Sequence, residues 1–152
     1  MREFICLVAA LASPLLQKAS AEDAQTELKA LVGKWKAVAM EAGGQELPKE
    51  SVPDFTFTVG AGGKSVAKTP QHDDKAVITV DPKKDPKRID NLHESGASKG
   101  KKQYGIYKLE GDKWTVCMTL PGVEASARPK DFSTKGTANV LFIFERVKEE
   151  KK

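Results

Sequence analysis

The chain has 152 residues, a formal net charge of +4 and a hydrophobic content of 39%. This length predicts a single domain that can bury a substantial core. Its basic residues are scattered among acidic ones over the whole chain, and no basic stripe with interleaved aromatic residues occurs, which argues against a nucleic-acid partner.

The N-terminal segment has the pattern of a secretory signal peptide. Arg2 provides a positive n-region, residues 4–16 are largely apolar, and the small residues at 19–21 suit signal peptidase. We therefore predict a signal peptide over residues 1–21, a secreted or periplasmic location, and no membrane insertion after cleavage. A buried N-terminal helix is the alternative, but Pro14 would break it.

Cleavage would change both the cysteine content and the charge. It would remove Cys6 and leave Cys117 as the only cysteine, so no intramolecular disulfide could form. An alternating strand position predicts that Cys117 is a small buried residue, with an intermolecular bridge as the alternative. Loss of Arg2, Glu3 and Lys18 would lower the net charge from +4 to +3.

One short helix is predicted over residues 23–32. Asp23 can cap its first turn, Leu28, Leu31 and Val32 lie on one face, and Gly33 is a stop signal. Period-two alternation follows. The predicted strands are 35–40, 55–59, 64–68, 76–80, 88–92, 103–109, 113–119 and 140–147.

Eight short strands with tight turns predict a sandwich or a closed up-and-down barrel, and closure would remove both exposed sheet edges. We assign residues 22–147 to this β domain and residues 148–152 to a charged C-terminal tail.

Several residues together resemble a known family. Gly33-Lys34-Trp35 follows the helix and opens the first strand, like the Gly-x-Trp motif of lipocalins. The further matches, in chain order, are Asp81-Pro82, Pro86, Ile89-Asp90, Gly105-Ile106-Tyr107, Cys117, Arg128-Pro129-Lys130-Asp131-Phe132 and Arg146. Over residues 28–146 the chain is thus similar to the small lipocalin-like domain described mainly from planctomycete bacteria, a family with no assigned function. The resemblance implies a lipocalin-like antiparallel up-and-down β-barrel of about eight strands, export in many members, and no particular reaction.

The resemblance also implies how one end of the barrel is closed. In lipocalins the motif Trp lies across the closed end, and an Arg from the last strand packs on its face. Trp35 and Arg146 occupy those positions here. Cation–π stacking gives the pair a structural role, which we favour over a ligand role.

The barrel interior is the main candidate for ligand binding. The inward-facing candidates are Phe55, Phe57, Tyr107, Trp114, Val116 and Met118. They either line a pocket for an apolar ligand or simply fill the barrel. The aromatic content of 7% favours a filled or nearly filled barrel, with a small cavity at the open end as the alternative.

Arg128 lies in a long connection after the seventh predicted strand. It could bind an anionic ligand at the barrel mouth. An ion pair with Asp131 or Asp90, with Phe132 anchored in the core, is the interpretation we favour.

The sequence shows no catalytic or metal motif. His72-Asp73-Asp74 and His93-Glu94 lack zinc-ligand spacing, and no Gly-x-Ser-x-Gly or phosphate-binding loop occurs. We therefore predict no catalytic residue, no metal and no cofactor. The leading hypothesis is an exported, non-catalytic binding module for a small, partly apolar molecule. The rival is a structural or protein-interaction domain of the cell envelope with a filled barrel.

Overall fold

The computed structural model describes residues 14–149, with side chains from residue 21 onward. Over these residues the chain forms one α-helix, three single-turn 3₁₀ helices and nine strands. The helix is α1 (Pro14–Leu31). The strands are β1 (Gly33–Ala42), β2 (Gln45–Glu46), β3 (Thr56–Val59), β4 (Lys64–Lys68), β5 (Asp73–Asp81), β6 (Lys87–His93), β7 (Lys102–Glu110), β8 (Lys113–Met118) and β9 (Val140–Arg146).

The strands form a closed, antiparallel, up-and-down barrel. From β3 to β9 each strand pairs with the next in sequence, and β1 pairs with both β3 and β9. The closing β1–β9 ladder runs from Trp35 opposite Arg146 to Ala42 opposite Val140. Eight strands make the barrel, while β2 only extends the end of β1 as a two-residue hairpin. The predicted barrel is confirmed.

Along each strand apolar side chains that point into the barrel alternate with side chains that point outward. This alternation determines which residues the barrel encloses. In β8, Trp114 and Val116 point inward, and the β7–β8 turn uses Gly111 at a φ of 62°, a conformation that favours glycine. Every predicted strand has a counterpart within a few residues. One observed strand, β2, was not predicted, because its two residues are too few to give a periodic pattern.

The helix is longer than predicted, because α1 extends back to Pro14, the first residue that the structure describes. Most of the predicted signal peptide lies outside the described residues, and the predicted cleavage point falls within α1. No helix in residues 14–149 combines the length and apolar character needed to cross a membrane.

The helix covers one end of the barrel, which we call the closed end. Leu28 and Leu31 of α1 are buried there against the barrel core, whereas Val32, expected on the same face, follows the helix and is 41% exposed. β1 starts at this end and β9 finishes there. The opposite end, where β1 finishes and β9 begins, is the open end.

Candidate ligand cavity and barrel closure

Arg146 joins the last strand, the first strand and the helix at the closed end. Its guanidinium carbon lies 4.2 Å from the ring centroid of Trp35. Its Nη1 and Nη2 donate hydrogen bonds of 2.8 Å to the carbonyl oxygens of Val32 and Ala30. These carbonyls belong to the C-terminal turn of α1, where the helix dipole favours a cation. The structure thus places Arg146 on the face of Trp35 at the closed end, which is the arrangement that the resemblance implied.

The Gly-Lys-Trp motif has a physical reason in this arrangement. Gly33 adopts a φ of +138°, and a Cβ atom there would lie 2.8 Å from Nη1 of Arg146. The indole Nε1 of Trp35 donates a 2.8 Å hydrogen bond to the carbonyl of Leu31. Glycine thus leaves room for the arginine, while the tryptophan satisfies another carbonyl at the end of α1.

Tyr107 belongs to the closed end and does not line the cavity described below. It is 1% exposed, and its hydroxyl donates a 2.9 Å hydrogen bond to Oε2 of Glu27 in α1. The other carboxylate oxygen of Glu27 accepts a 2.7 Å bond from Lys87. Burial, and next the hydrogen bond to Glu27, raises the pKa of Tyr107. Tyr107 was predicted as a ligand-binding residue, but the structure places it where it holds the helix on the barrel.

A cavity of about 310 Å³ lies inside the barrel toward the open end. Its rim includes Met118, the last residue of β8, and Val140, the first residue of β9. The structure therefore has the alternative that the sequence left open, a small cavity at the open end, and the barrel is not completely filled. Only the closed-end half is filled, by a core that includes Trp35, Tyr107 and Leu31.

Aromatic side chains form the floor and one wall of the cavity. Of the predicted ligand-binding residues, Phe55, Phe57, Trp114 and Met118 line it. Trp114 sits at the junction with the closed-end core, with ring centroids of Trp35 and Phe144 at 5.4 and 5.3 Å. The part of the cavity nearest the closed end is therefore apolar and lined by closely packed aromatic rings.

The lining residues that were not predicted include Phe142, Phe144 and Met40. The two phenylalanines lie in a strand whose sequence is apolar on both faces, so alternation could not identify its inner face. Met40 comes inward after a register irregularity between Ala37 and Ala39. A bulge of this kind reverses the alternation beyond it.

The opposite wall carries a hydrogen-bonded polar cluster of Asn91, His93, Gln103 and Thr119. The Nε2 of Gln103 donates to the backbone carbonyl of Thr119 at 3.0 Å. Its Oε1 accepts a 3.2 Å bond from Nδ2 of Asn91 and lies 2.7 Å from Nε2 of His93. These residues escaped prediction because polar strand residues normally face solvent.

The cluster has one consistent assignment of hydrogens. A backbone carbonyl only accepts, so the Gln103 nitrogen must point to Thr119 and the Gln103 oxygen must accept from its two neighbours. His93 therefore carries its hydrogen on Nε2, and Asn91 presents Nδ2 to Gln103. In this assignment the Oδ1 atom of Asn91 accepts no hydrogen bond.

Two buried polar atoms of the lining have no hydrogen-bond partner among the described residues: Oδ1 of Asn91 and Nε1 of Trp114. Asn91 is 9% exposed and Trp114 is 2% exposed. Buried polar groups are nearly always paired, and an unpaired one costs roughly 1–3 kcal/mol. Both atoms belong to residues that line the cavity, but they are buried within its wall and present no accessible surface to it.

Arg128 lies away from the cavity, on the outer side of the barrel wall. Its Nη2 is 2.7 Å from Oδ1 of Asp90, and its Nη1 donates to the carbonyls of Gly105 at 2.8 Å and Ile89 at 3.3 Å. Its guanidinium also lies 5.3 Å from the ring centroid of Tyr104. Arg128 thus forms the ion pair that was favoured over an anionic ligand, and its partner is Asp90 and not Asp131. Arg128 is not placed to contact a ligand in the cavity.

The two histidines lie near the open end. His72 is 3.0 Å from Asp74, and His93 belongs to the polar cluster. Within residues 14–149 no group of three or more potential metal ligands comes together.

Cys117 points away from the cavity into a second small core with Ile106 and Leu141. It is fully buried, and this burial, more than the nearby Glu41 and Asp131, raises the pKa of its thiol to about 11.

Comparison of the chain with protein families, with curated proteins and with solved structures found no match.

Proposed function

We propose that this protein is an exported, non-catalytic binding module that holds a small, partly apolar molecule in the cavity at the open end of its barrel. The observation that carries the proposal is the cavity of about 310 Å³ with an aromatic floor. Ligand pockets in proteins have volumes of roughly 300–1,000 Å³, are mostly apolar and carry a few placed polar groups. The cavity meets these criteria at their lower limit, which favours a compact ligand.

The composition of the lining supports binding without catalysis. No Asp, Glu, Lys or Arg lines the cavity among the described residues. Its single imidazole, that of His93, donates to Gln103, and the Thr119 hydroxyl accepts from the backbone N–H of Tyr104. General acid–base or nucleophilic chemistry requires a nucleophile and a base within reach of each other, and this lining offers no such pair.

Export is part of the proposal and rests on the sequence pattern of residues 1–21. Among the side chains that the structure describes, from residue 21 onward, two residues of α1 make polar contacts with the barrel. Asp23 pairs with Lys83, and Glu27 pairs with Lys87 and Tyr107. Cleavage after Ala21 would therefore leave these contacts in place. Membership of the planctomycete lipocalin-like family belongs to the same proposal and rests on the motifs quoted above.

The rival function, an interaction domain with a filled barrel, has less support because the open half of the barrel is hollow. Leu120 and Val123 are 46% and 37% exposed near the open end. They are scattered apolar residues of the kind found on most surfaces and do not define a docking patch.

A binding experiment with a matched pair of variants tests the cavity. The probe is N-phenyl-1-naphthylamine, an uncharged fluorophore that brightens in apolar surroundings and accepts excitation energy from tryptophan. Ala67 lines the cavity, whereas its neighbour Val66 does not. We expect saturable binding to the wild type, loss of binding in A67F, and retention in V66F, because only the first substitution fills the cavity.

Native mass spectrometry of protein purified from its own cell envelope complements the probe. An adduct that leaves on denaturation, and is missing from A67F, would support the proposal. Equal probe binding by A67F and V66F would refute it, since the dye would then bind outside the cavity. The intact mass of the same sample reports whether the chain begins at Glu22.

A further inference from the structure

The cavity has a closed floor, and its depth can be counted in residues along two paired strands. We infer that it takes compact molecules, such as compounds of one or two rings, and that it does not accommodate the long acyl chains of membrane lipids. This inference rests on the proposed function and specifies the size class of its ligand.

The depth of the cavity follows from the register between β8 and β9. Three pairs of residues line it in successive layers from the floor to the rim: Trp114 with Phe144, Val116 with Phe142, and Met118 with Val140. The floor pair and the rim pair are thus four residues apart along each strand. At about 3.3 Å per residue and a strand tilt of roughly 40°, this separation is about 10 Å along the barrel axis.

The floor at Trp114 is supported from below. The ring centroid of Trp114 lies 5.4 Å from that of Trp35, which is fully buried in the closed-end core. Leu31 of α1 is also fully buried and belongs to the same core. Protein interiors are closely packed, so an alkyl chain could pass Trp114 only by displacing these side chains. The cavity therefore ends at Trp114.

The length and the volume of the cavity agree on the size of the ligand. An extended saturated chain advances about 1.25 Å per carbon, so about eight carbons span the depth, whereas an acyl chain of about sixteen carbons is roughly twice as long. An apolar cavity of about 150 Å³ holds one benzene molecule. The cavity here has about 310 Å³, which corresponds to about two rings.

A series of 1-alkanols measures the depth in solution: 1-butanol, 1-hexanol, 1-octanol and 1-decanol. These compounds share one hydroxyl group and differ only in chain length, and displacement of N-phenyl-1-naphthylamine gives their affinities. Each methylene that enters the cavity should raise the affinity about fourfold. We expect this gain up to 1-octanol and no further gain for 1-decanol, whose remaining carbons stay outside the mouth. Without a floor, 1-decanol would bind about 16-fold more tightly than 1-octanol.

A variant with a raised floor assigns the length limit to the cavity. Val116 lies one layer above Trp114 in β8. V116F should shorten the cavity by one layer, about 5 Å, and move the limit from about eight carbons to about four. The matched control V66F, at a residue outside the lining, should keep the limit at 1-octanol. If V116F does not fold, the wild-type series alone decides the inference.

The outcomes separate the inference from the proposed function. Suppose that A67F abolishes binding of the probe to the cavity. Affinities that keep rising to 1-decanol, or the same length limit in V116F and in the wild type, would then overturn the inference and leave the binding function standing. Absence of A67F-sensitive binding by the probe and by all four alcohols would overturn both.

Discussion

The guanidinium of Arg146 lies over the indole of Trp35 at 4.2 Å and at the same time donates to two carbonyls at the end of α1. One side chain therefore ties the helix to the seam at which β1 and β9 close the barrel. Asp112, 3.1 Å from Nε of Arg146, adds the β7–β8 turn to the same junction. This junction fills the closed end without a disulfide, and the open end is left free for a cavity.

Replacing Arg146 should destabilise the whole barrel. R146M keeps an unbranched apolar stem but removes the cation and both hydrogen bonds to α1, so we expect the free energy of unfolding to fall by about 2–3 kcal/mol. R146K should recover only part of the loss, because an ammonium cannot span two carbonyls and stack on a ring as a guanidinium does. Urea denaturation followed by tryptophan fluorescence measures both.

Lys148 offers the control for this series. It lies 3.8 Å from the same Asp112 but is 82% exposed, so K148M should leave stability nearly unchanged. Equal stability of R146M and K148M would show that the Arg146 junction does not hold the closed end.

The contact between Tyr107 and Glu27 should make stability fall at alkaline pH. Burial, assisted by the hydrogen bond to Glu27, raises the pKa of Tyr107 above its ordinary value of 10.0. The folded state then holds the phenol proton more tightly than the unfolded state, so this contribution is complete below pH 10 and is lost as the pH rises above it. We expect a slope of about 1.4 kcal/mol per pH unit from this group.

Y107F should lack that part of the slope and should lose about 1 kcal/mol at neutral pH with the hydrogen bond. Y104F is the matched control, since Tyr104 is the other tyrosine of the chain and keeps Tyr107 intact. Urea denaturation at intervals from pH 8 to 11 gives the comparison. If wild type and Y107F decline in parallel above pH 10, Tyr107 is not protected by the fold.

The Cys117 thiol should be unreactive in the folded protein. Burial raises its pKa to about 11 from an ordinary 9.0, so few thiolates exist at pH 8. In a C6S background, which leaves Cys117 as the only thiol, alkylation by iodoacetamide should be at least about 100-fold slower than in denaturant. A cysteine placed at the exposed Ala97 in a C117A background should react at the unfolded rate. Rapid native alkylation of Cys117 would mean that the second core opens readily.

The fold followed from sequence because alternation is a local property of each strand. The β7–β8 hairpin and its inward Trp114 were predictable from Glu110-Gly111-Asp112 and the alternation that flanks it. The position of a residue along the barrel axis could not be predicted in this way, because it depends on the register between strands that are distant in sequence. Tyr107 faces inward as predicted, yet its pairing with Lys87 places it beside α1 and below the cavity.

The polar wall of the cavity could not be predicted from the sequence for a related reason. Asn91 lies two residues after Ile89 in β6 and therefore shares its inward face. A polar residue at an inward position weakens the apolar–polar alternation by which a strand is recognised in a sequence. Its partner Gln103 is twelve residues away and adjacent only through the β6–β7 register. The hydrogen-bond assignment that leaves one acceptor free is visible only in three dimensions.

Arg128 supplies the last prediction, because it fixes the long connection between β8 and β9. Its contacts reach Asp90 in β6 and the carbonyl of Gly105 in β7, so it fastens that connection to two strands from outside. The Arg128 side chain is 15% exposed, which makes this pair stronger than a surface ion pair. R128M should therefore lower the free energy of unfolding by about 2 kcal/mol and speed amide hydrogen exchange over residues 120–139.

K130M is the matched control, since Lys130 is exposed and lies two residues away in the same connection. Hydrogen exchange followed by mass spectrometry compares the two variants segment by segment. Binding of N-phenyl-1-naphthylamine should survive in R128M, because Arg128 does not line the cavity. Loss of probe binding with unchanged exchange would instead assign Arg128 to the ligand, and unchanged exchange alone would show that the connection is held by its buried residues, such as Thr134 and Pro129.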